Sequence, residues 1–201
     1  VTGRAVHSSM PHLGVNAITY AGRLIAELAR IEDDLKAGAR SARFDPPYTS
    51  LQVTELSGGT APNIVPIICT FGWEIRRLPG FDGSAVDARF RAFAASQCVP
   101  EMQRLAPETG IKIDITNEVP SFSADETSEV LPLALKLAGQ NDPFAVCYAT
   151  EASLFQAGGA PSVVIGPGSI AQAHTANEFI AVSEIEKCLA FLDRVANWAE
   201  G

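Results

Sequence analysis

Apolar residues recur at helical spacing through Ile18, Ile25, Leu28 and Leu35, and predict an amphipathic helix that opens at Asn16-Ala17-Ile18. From Leu51 to Leu56 the spacing changes to alternation, as in a half-buried strand, and Ile67 to Ile75 predicts the next strand. Gly80 to Ser84 interrupts it, and a second helical pattern carries Val86, Phe90, Phe93 and Ala94. Ile111-Lys112-Ile113-Asp114-Ile115 alternates again as a closing strand. Up to about Val119 the order is therefore strand, helix, strand, strand, helix, strand. A two-layer α+β sandwich satisfies it, with the helices on one face of an antiparallel sheet and an edge left for pairing with a second copy.

Beyond Pro120 the pattern becomes alternating helix and strand. Ser128 to Ala138 reads as helix, Ala145 to Ala149 as strand, Glu151 to Ala157 as a short helix and Ser162 to Ile165 as a buried strand. The last helix runs from about Ser183, a candidate cap with Glu186 three residues on, to Trp198. Such alternation implies an α/β unit with a mostly parallel sheet, so the chain divides into residues 1–119 and 120–201.

Composition narrows the function classes. The chain has 201 residues, 47% hydrophobic and 19% charged, as in ordinary globular proteins. A net charge of −8 and 15 dispersed basic residues argue against nucleic acid as a partner. No run of about eighteen uninterrupted apolar residues argues for a membrane span, so the expectation is a cytoplasmic protein without membrane contact. Cys69, Cys98, Cys147 and Cys188 lie far apart in apolar runs and read as reduced, small hydrophobes.

Candidate chemistry begins at His174. It follows the glycine turn Gly166-Pro167-Gly168, beyond the carboxyl end of a predicted strand, where open α/β sheets place their ligands. On position alone a metal ligand and a loop histidine satisfied by backbone groups are equally good readings, since one histidine never makes a zinc site. Thr150 precedes a helix, where it caps the first turn while backbone amides face an anion. Phe71, Trp73 and Phe81 read as core and interface packing rather than a ligand cage, and His12 as a turn residue without catalysis.

A resemblance adds to this reading. Its stretches are Gly3-Arg4-Ala5-Val6-His7-Ser8-Ser9-Met10-Pro11-His12-Leu13-Gly14-Val15-Asn16-Ala17-Ile18; Gly58-Gly59-Thr60-Ala61-Pro62-Asn63-Ile64-Val65-Pro66 followed by Glu74-Ile75-Arg76-Arg77-Leu78-Pro79-Gly80; Thr150-Glu151-Ala152; and the run from Gly166 to Phe179 with His174. In this order they resemble the acetylornithine deacetylase and succinyl-diaminopimelate desuccinylase family, zinc-dependent amidohydrolases and peptidases with a catalytic domain and an inserted dimerisation, or lid, domain. The resemblance implies a ferredoxin-like lid over residues 1–119. Residues 120–201 would be the C-terminal part of an α/β zinc-peptidase-like catalytic domain.

The same resemblance implies a pair of zinc ions, with cobalt as a substitute, and His174 as a ligand whose loop or hydrogen bonding Asn177 or Glu178 orients. His7 matches the lid histidine that reaches the opposing subunit's active site and stabilises the oxyanion. Asn63 and Arg76 match the residues that hold the substrate carboxylate or scissile carbonyl, and Thr150, Gly168 and Ser169 form a wall for a small amino-acid substrate. Glu74 stands where relatives commonly have Asp, Arg77 reads as a surface ion-pair partner, and Glu151 is not expected to ligate metal.

Expected partners are an N-acyl amino acid and a second copy joined through the lid. The expected reaction is deacetylation of N-acetylornithine to ornithine and acetate, a step of arginine biosynthesis, with succinylated or other acyl amino acids as alternatives. The other metal ligands and the general base belong to the family's amino-terminal half. The expectation is therefore a chain inactive by itself, its apolar sheet edge and face exposed. A catalytically inert dimerisation or protein-binding module is the alternative from another class.

Overall fold

A computed structural model of the chain describes residues 1–146, 148 and 150–201. It divides into two compact units, Val1–Glu118 with Val146–Tyr148, and Val119–Ala145 with Ala149–Gly201.

The first unit is built on helix α1, Ala17–Ala37, which starts where Asn16 accepts a hydrogen bond from the Thr19 amide through its side chain at 3.1 Å. Ala17, Ala21, Leu24, Leu28 and Ile31 line its buried face at steps of three and four. Strands β1, Ser50–Gly58, and β2, Cys69–Arg76, pair antiparallel from Ser50–Arg76 to Gly58–Cys69. A bulge between Val53 and Glu55 resets the alternation, so Leu56, opposite Phe71, shares a face with Leu51 and Val53.

Helix α2, Ser84–Phe93, continues through a π-turn, Ala94–Cys98, into α3, Val99–Leu105. One hydrophobic cluster joins Leu24, Leu28 and Ile31 to Leu51, Val86, Phe90, Ala94 and Cys98, with Phe71, Trp73 and Phe81 packed against it. Trp73 meets Phe90 edge to face at 5.4 Å. The result is the expected two-layer sandwich, with the aromatic residues of β2 in the core.

The predicted flanking strands survive as single bridges. Thr2 bridges both Ile68 and Gly110, and Arg4 bridges Val15. Residues 111–115 form no ladder, contrary to expectation. Thr2 bridges Gly110 in an antiparallel register, and residues from 112 onward make no bridge among the described residues. Ile111 and Ile113 still pack on the core, so their alternation is the imprint of packing rather than of a ladder.

The second unit holds α4, Val130–Ala138, α5, Ala152–Ala157, and α6, Val182–Glu200. The predicted helices are present, but no strand forms among its described residues, and 161–165 lacks a ladder partner. The expected strand 145–149 includes Cys147 and Ala149, which lie outside the described residues. Helix α6 begins at Val182, with Ala181 rather than Ser183 at the cap, and has no side-chain cap bond. Its apolar face is wide and only partly covered: Cys188 and Phe191 are half-buried, while Leu189 and Leu192 are 58% and 52% exposed, and Glu186, Asp193 and Glu200 mark the polar face. Among the described cysteines, Cys69 and Cys98 are buried, Cys188 is half-buried, and all are free thiols. Burial pushes the Cys98 thiol up from its usual value. Among the described residues no helix is long and apolar enough to cross a membrane.

Two consequences are measurable. Phe90→Ala leaves a cavity under Trp73 and should lower stability by about 3–5 kcal/mol in urea denaturation; a loss under about 1 kcal/mol would mean that Phe90 is not the centre of the core. The Arg4 guanidinium bonds both Glu108 oxygens at 2.7 and 2.9 Å and Arg23 bonds Glu101 at 2.7 Å, holding each carboxyl below its ordinary 4.5. The stabilisation is present above pH 4.5 and lost as pH falls through the lower, folded-state values. The urea midpoint should drop over that window, and less steeply in the Glu101→Gln, Glu108→Gln double variant.

Candidate functional site

His7 ends the first segment. It bridges Ile64, while the Ser8 amide donates to the Asn63 carbonyl at 2.9 Å, so His7 and Asn63 share one exposed corner of the first unit. Two glycines permit the close backbone approach behind them. A Cβ on Gly3 would stand 2.0 Å from the Val15 carbonyl oxygen, and one on Gly14 would stand 2.5 Å from a Val6 methyl. These glycines let Arg4 and Val15 exchange backbone hydrogen bonds at 2.9 and 3.1 Å.

Ser9 sets the tautomer of His7. Its amide donates to Nδ1 at 3.2 Å and its Oγ lies 2.7 Å from the same nitrogen. With Nδ1 an acceptor, the proton of the neutral ring sits on Nε2, which becomes an outward donor. An open cavity of about 520 Å³ adjoins the corner, lined by Ser8, Asn16 and Thr60 among apolar residues such as Ile18, Ile64 and Pro66, with no charged side chain in its wall.

Arg76 is elsewhere. It closes β2 opposite Ser50, seven residues from Cys69, which at about 3.3 Å per residue places it roughly 23 Å along the strand, away from the His7 end. Its guanidinium grips Glu74 with both arms, Nε to Oε1 at 3.0 Å and the second nitrogen to Oε2 at 2.9 Å, on an open surface. Arg77 bonds Glu118 at 3.2 Å with its side chain only 18% exposed. Both arginines are thus ion-paired, and the surface pair expected of Arg77 is the more exposed one made by Arg76.

The second unit carries the remaining candidates. Thr150 Oγ1 accepts from the Ala152 amide at 3.3 Å and the Thr150 carbonyl accepts from Ser153 Oγ at 3.2 Å; Glu151 occupies the helix cap itself. Gly168, at φ 88°, donates its amide to Glu184 at 3.4 Å. The Lys187 ammonium, then the Gly168 amide, holds the Glu184 carboxyl below its usual range. Ser169 caps the 3₁₀ turn Ile170–Gln172 by accepting from the Ala171 amide at 3.3 Å. His174 follows that turn at φ 57°, exposed, its amide donating to Glu178 at 2.9 Å. Gly168, Ser169 and His174 therefore share one loop, whereas Thr150 begins α5. The loop does not hang from a strand end, because no strand forms among the described residues of the second unit.

The imidazole of His174 suits zinc, yet among the described residues no group of three His, Cys, Asp or Glu is placed to hold a metal ion. These residues fit a zinc site as the source of one ligand. Sequence reasoning missed the Ser9–His7 and Glu184–Gly168 bonds. Ser9 two residues beyond His7 was a usable signal, whereas Glu184 reads as the acid of a helical pair with Lys187 at i,i+3.

A small antiparallel sheet under two helices, followed by a helix-rich unit, defines the class as a mixed α/β fold. Residues 1–102 match the peptidase dimerisation domain of the M20 type. The chain is 31% identical to acetylornithine deacetylase of Myxococcus xanthus, over 100% of this chain and 52% of the relative. It is 30% identical to the acetylornithine deacetylase of Aliivibrio fischeri strain ES114, over 97% and 50%. Aminopeptidase PepT of Bacillus cereus shares its fold with a TM-score of 0.65 at 23% identity, over 97% of this chain and 50% of that one. The chain belongs to the acetylornithine deacetylase and succinyl-diaminopimelate desuccinylase family, whose lid and C-terminal catalytic part it matches. It spans about half the length of the curated relatives.

The tautomer of His7 is open to test by ¹⁵N NMR at a pH where the ring is neutral. Wild type should show Nδ1 as the unprotonated nitrogen, and Ser9→Ala, which deletes the 2.7 Å contact, should raise the Nδ1–H share. Identical spectra would mean that Ser9 does not set the tautomer.

Proposed function

We propose that this chain supplies the lid and the C-terminal catalytic part of a zinc-dependent amidohydrolase that removes the acyl group from an N-acyl amino acid, N-acetylornithine first among them, yielding ornithine and acetate in arginine biosynthesis. The observation that carries the reading is the similarity to acetylornithine deacetylases along 97–100% of the chain. The boundary between compact units at Glu118 and Val119 supports assigning residues 1–119 to the lid and 120–201 to the catalytic domain.

In this reading His174 is a metal ligand. Zinc held there, with cobalt as a substitute, supplies Lewis-acid polarisation of the amide carbonyl and a water of lowered pKa. Gly168, Ser169 and Thr150 line the wall beside the substrate, and no general base is assigned to these residues. His7 presents its Nε2 proton to the oxyanion that develops as the carbonyl carbon becomes tetrahedral. Asn63 donates from its amide beside it, and Arg76 receives the substrate carboxylate by exchanging it for that of Glu74.

His7 and Arg76 stand at opposite ends of the sheet, too far apart to touch one small substrate from the same lid. A homodimer resolves this, since antiparallel pairing of two lids sets the His7 corner of one against the Arg76 end of the other. Strand β1 is an open edge, and Ile18, Gly22, Ala26 and Ala29 form an exposed row along α1 on which a second helix could lie.

The test is subunit complementation in the native protein. His7→Ala should lower kcat about 10²- to 10³-fold with metal retained, and His174→Ala should lose metal and turnover. Mixing the two variants should restore about a quarter of wild-type activity, because half of the dimers are mixed and each holds one intact site. No restoration would place His7 in its own subunit's site. Wild-type protein with neither metal nor turnover would favour the inert dimerisation module.

A further inference from the structure

We propose that Glu74 selects substrates whose side chain carries a cation, receiving the substrate's ammonium once Arg76 has turned to its carboxylate; this rests on reading Arg76 as the carboxylate binder of an N-acyl amino acid hydrolase. Among the described residues Arg76 is the one cation that Glu74 bonds, at 3.0 and 2.9 Å. Across the ladder Glu74 faces Gln52 and Arg76 faces Ser50, so no second charge stands opposite either of them. An incoming carboxylate that takes the guanidinium therefore leaves Glu74 as an unpaired anion beside the new one. A ligand with a single negative charge meets that repulsion, whereas a ligand that also brings an ammonium exchanges one ion pair for two.

The spacing suits such a ligand. Glu74 and Arg76 alternate with Ile75 on β2 and so share one face, roughly 6.6 Å apart along the strand. In N-acetylornithine the carboxylate carbon and the terminal nitrogen lie about five bonds, roughly 6 Å, apart when the side chain is extended. Gly72 comes before Glu74 on the same face. A Cβ there would make ordinary contacts, with Glu55 and Thr54 at 3.6 Å, and its φ is outside the left-handed region, so the fold itself does not demand glycine. Its bare backbone leaves room beside Glu74 for a side chain laid along the strand. Because Glu74 and Arg76 belong to one strand, the pair arrives intact whichever subunit's lid supplies it.

The experiment measures kcat and KM of the native protein on N-acetylornithine and on N-acetylnorvaline, which keeps the carbon chain and lacks the ammonium. Wild type should prefer N-acetylornithine about tenfold in kcat/KM. Glu74→Gln should remove that preference through KM from both sides, raising KM for N-acetylornithine several-fold and lowering it for N-acetylnorvaline, because the freed Arg76 no longer has a competing carboxylate. Glu74→Asp, which retains the charge, should keep most of the preference. Arg76→Ala should raise KM for both substrates. Equal kcat/KM for the two substrates in wild type would overturn the proposal, as would a shift of the same size and sign for both in Glu74→Gln, the result expected if Glu74 only holds Arg76 in place. Unchanged KM for both in Arg76→Ala, or hydrolysis of neither by wild type, would instead overturn the reading on which the proposal stands.

Discussion

Antiparallel pairing of the first segment with the lead-in to β2 is the constraint on which the first unit's chemistry depends. Val1 accepts from the Cys69 amide at 3.1 Å, Gly3 donates to Ile67 at 2.7 Å, Val6 accepts from Val65 at 2.9 Å and Ser8 donates to Asn63 at 2.9 Å. This run of bonds fixes the register that sets His7 beside Asn63, and Gly3 and Gly14 allow the Arg4–Val15 contact on the segment's other flank. Because α1 begins directly after Val15, the same backbone contacts tie the site corner to the helix whose buried face makes the core. Core packing therefore holds His7 in place even though the side chain is exposed.

Elements that carry their own periodicity were legible in the sequence. Helix α1 shows its buried face at steps of three and four, α2 shows Val86 and Phe90, and β1 and β2 alternate. Strands that depend on a neighbour were not legible. Ile111-Lys112-Ile113-Asp114-Ile115 has the alternation of a strand, but a ladder needs a second backbone in register, and pairing stops at the Thr2–Gly110 bridge. Pro161 to Ile165 has the apolar run without the partner, and an apolar run reports burial rather than hydrogen bonding. The bulge after Val53 was invisible for a related reason: one extra residue shifts the phase of alternation without changing composition.

Motif order singled out the candidate residues, whereas their local hydrogen-bond partners were not legible. The resemblance pointed to Arg76 as a carboxylate binder, and the chain pairs that arginine with Glu74 two residues earlier, on the same face of the strand. A same-face pair of this kind follows from the two-residue period of the strand, but which carboxylate the arginine takes depends on side-chain conformation that periodicity does not carry. The Glu74 grip has a chemical consequence: the planar guanidinium of Arg76 is oriented by a bidentate carboxylate, the geometry any second carboxylate would share. The pair is exposed, so exchanging one carboxylate for another costs little desolvation.

The two units differ in how they are held, and this bears on the His174 loop. The first has a buried cluster of large side chains, whereas in the second Ser153 is the one buried residue among those described. Helix α6 shows why. An apolar stripe through Ile185, Leu189 and Leu192 remains open beside the inward-facing Cys188 and Phe191, so the apolar face of the helix is wider than the part that is covered. Gly168 is bonded to Glu184 on the first turn of this same helix, and Arg194 near its end donates to the Leu137 carbonyl of α4. The glycine turn that begins the His174 loop is thus anchored to a helix whose own burial is incomplete. Packing against the open stripe would stabilise α6, and through Glu184 it would narrow the range of positions open to Gly168 and Ser169. The Glu178 bond to the His174 amide and the Glu184 bond to the Gly168 amide hold opposite ends of one loop, so packing on α6 reaches that loop through Glu184.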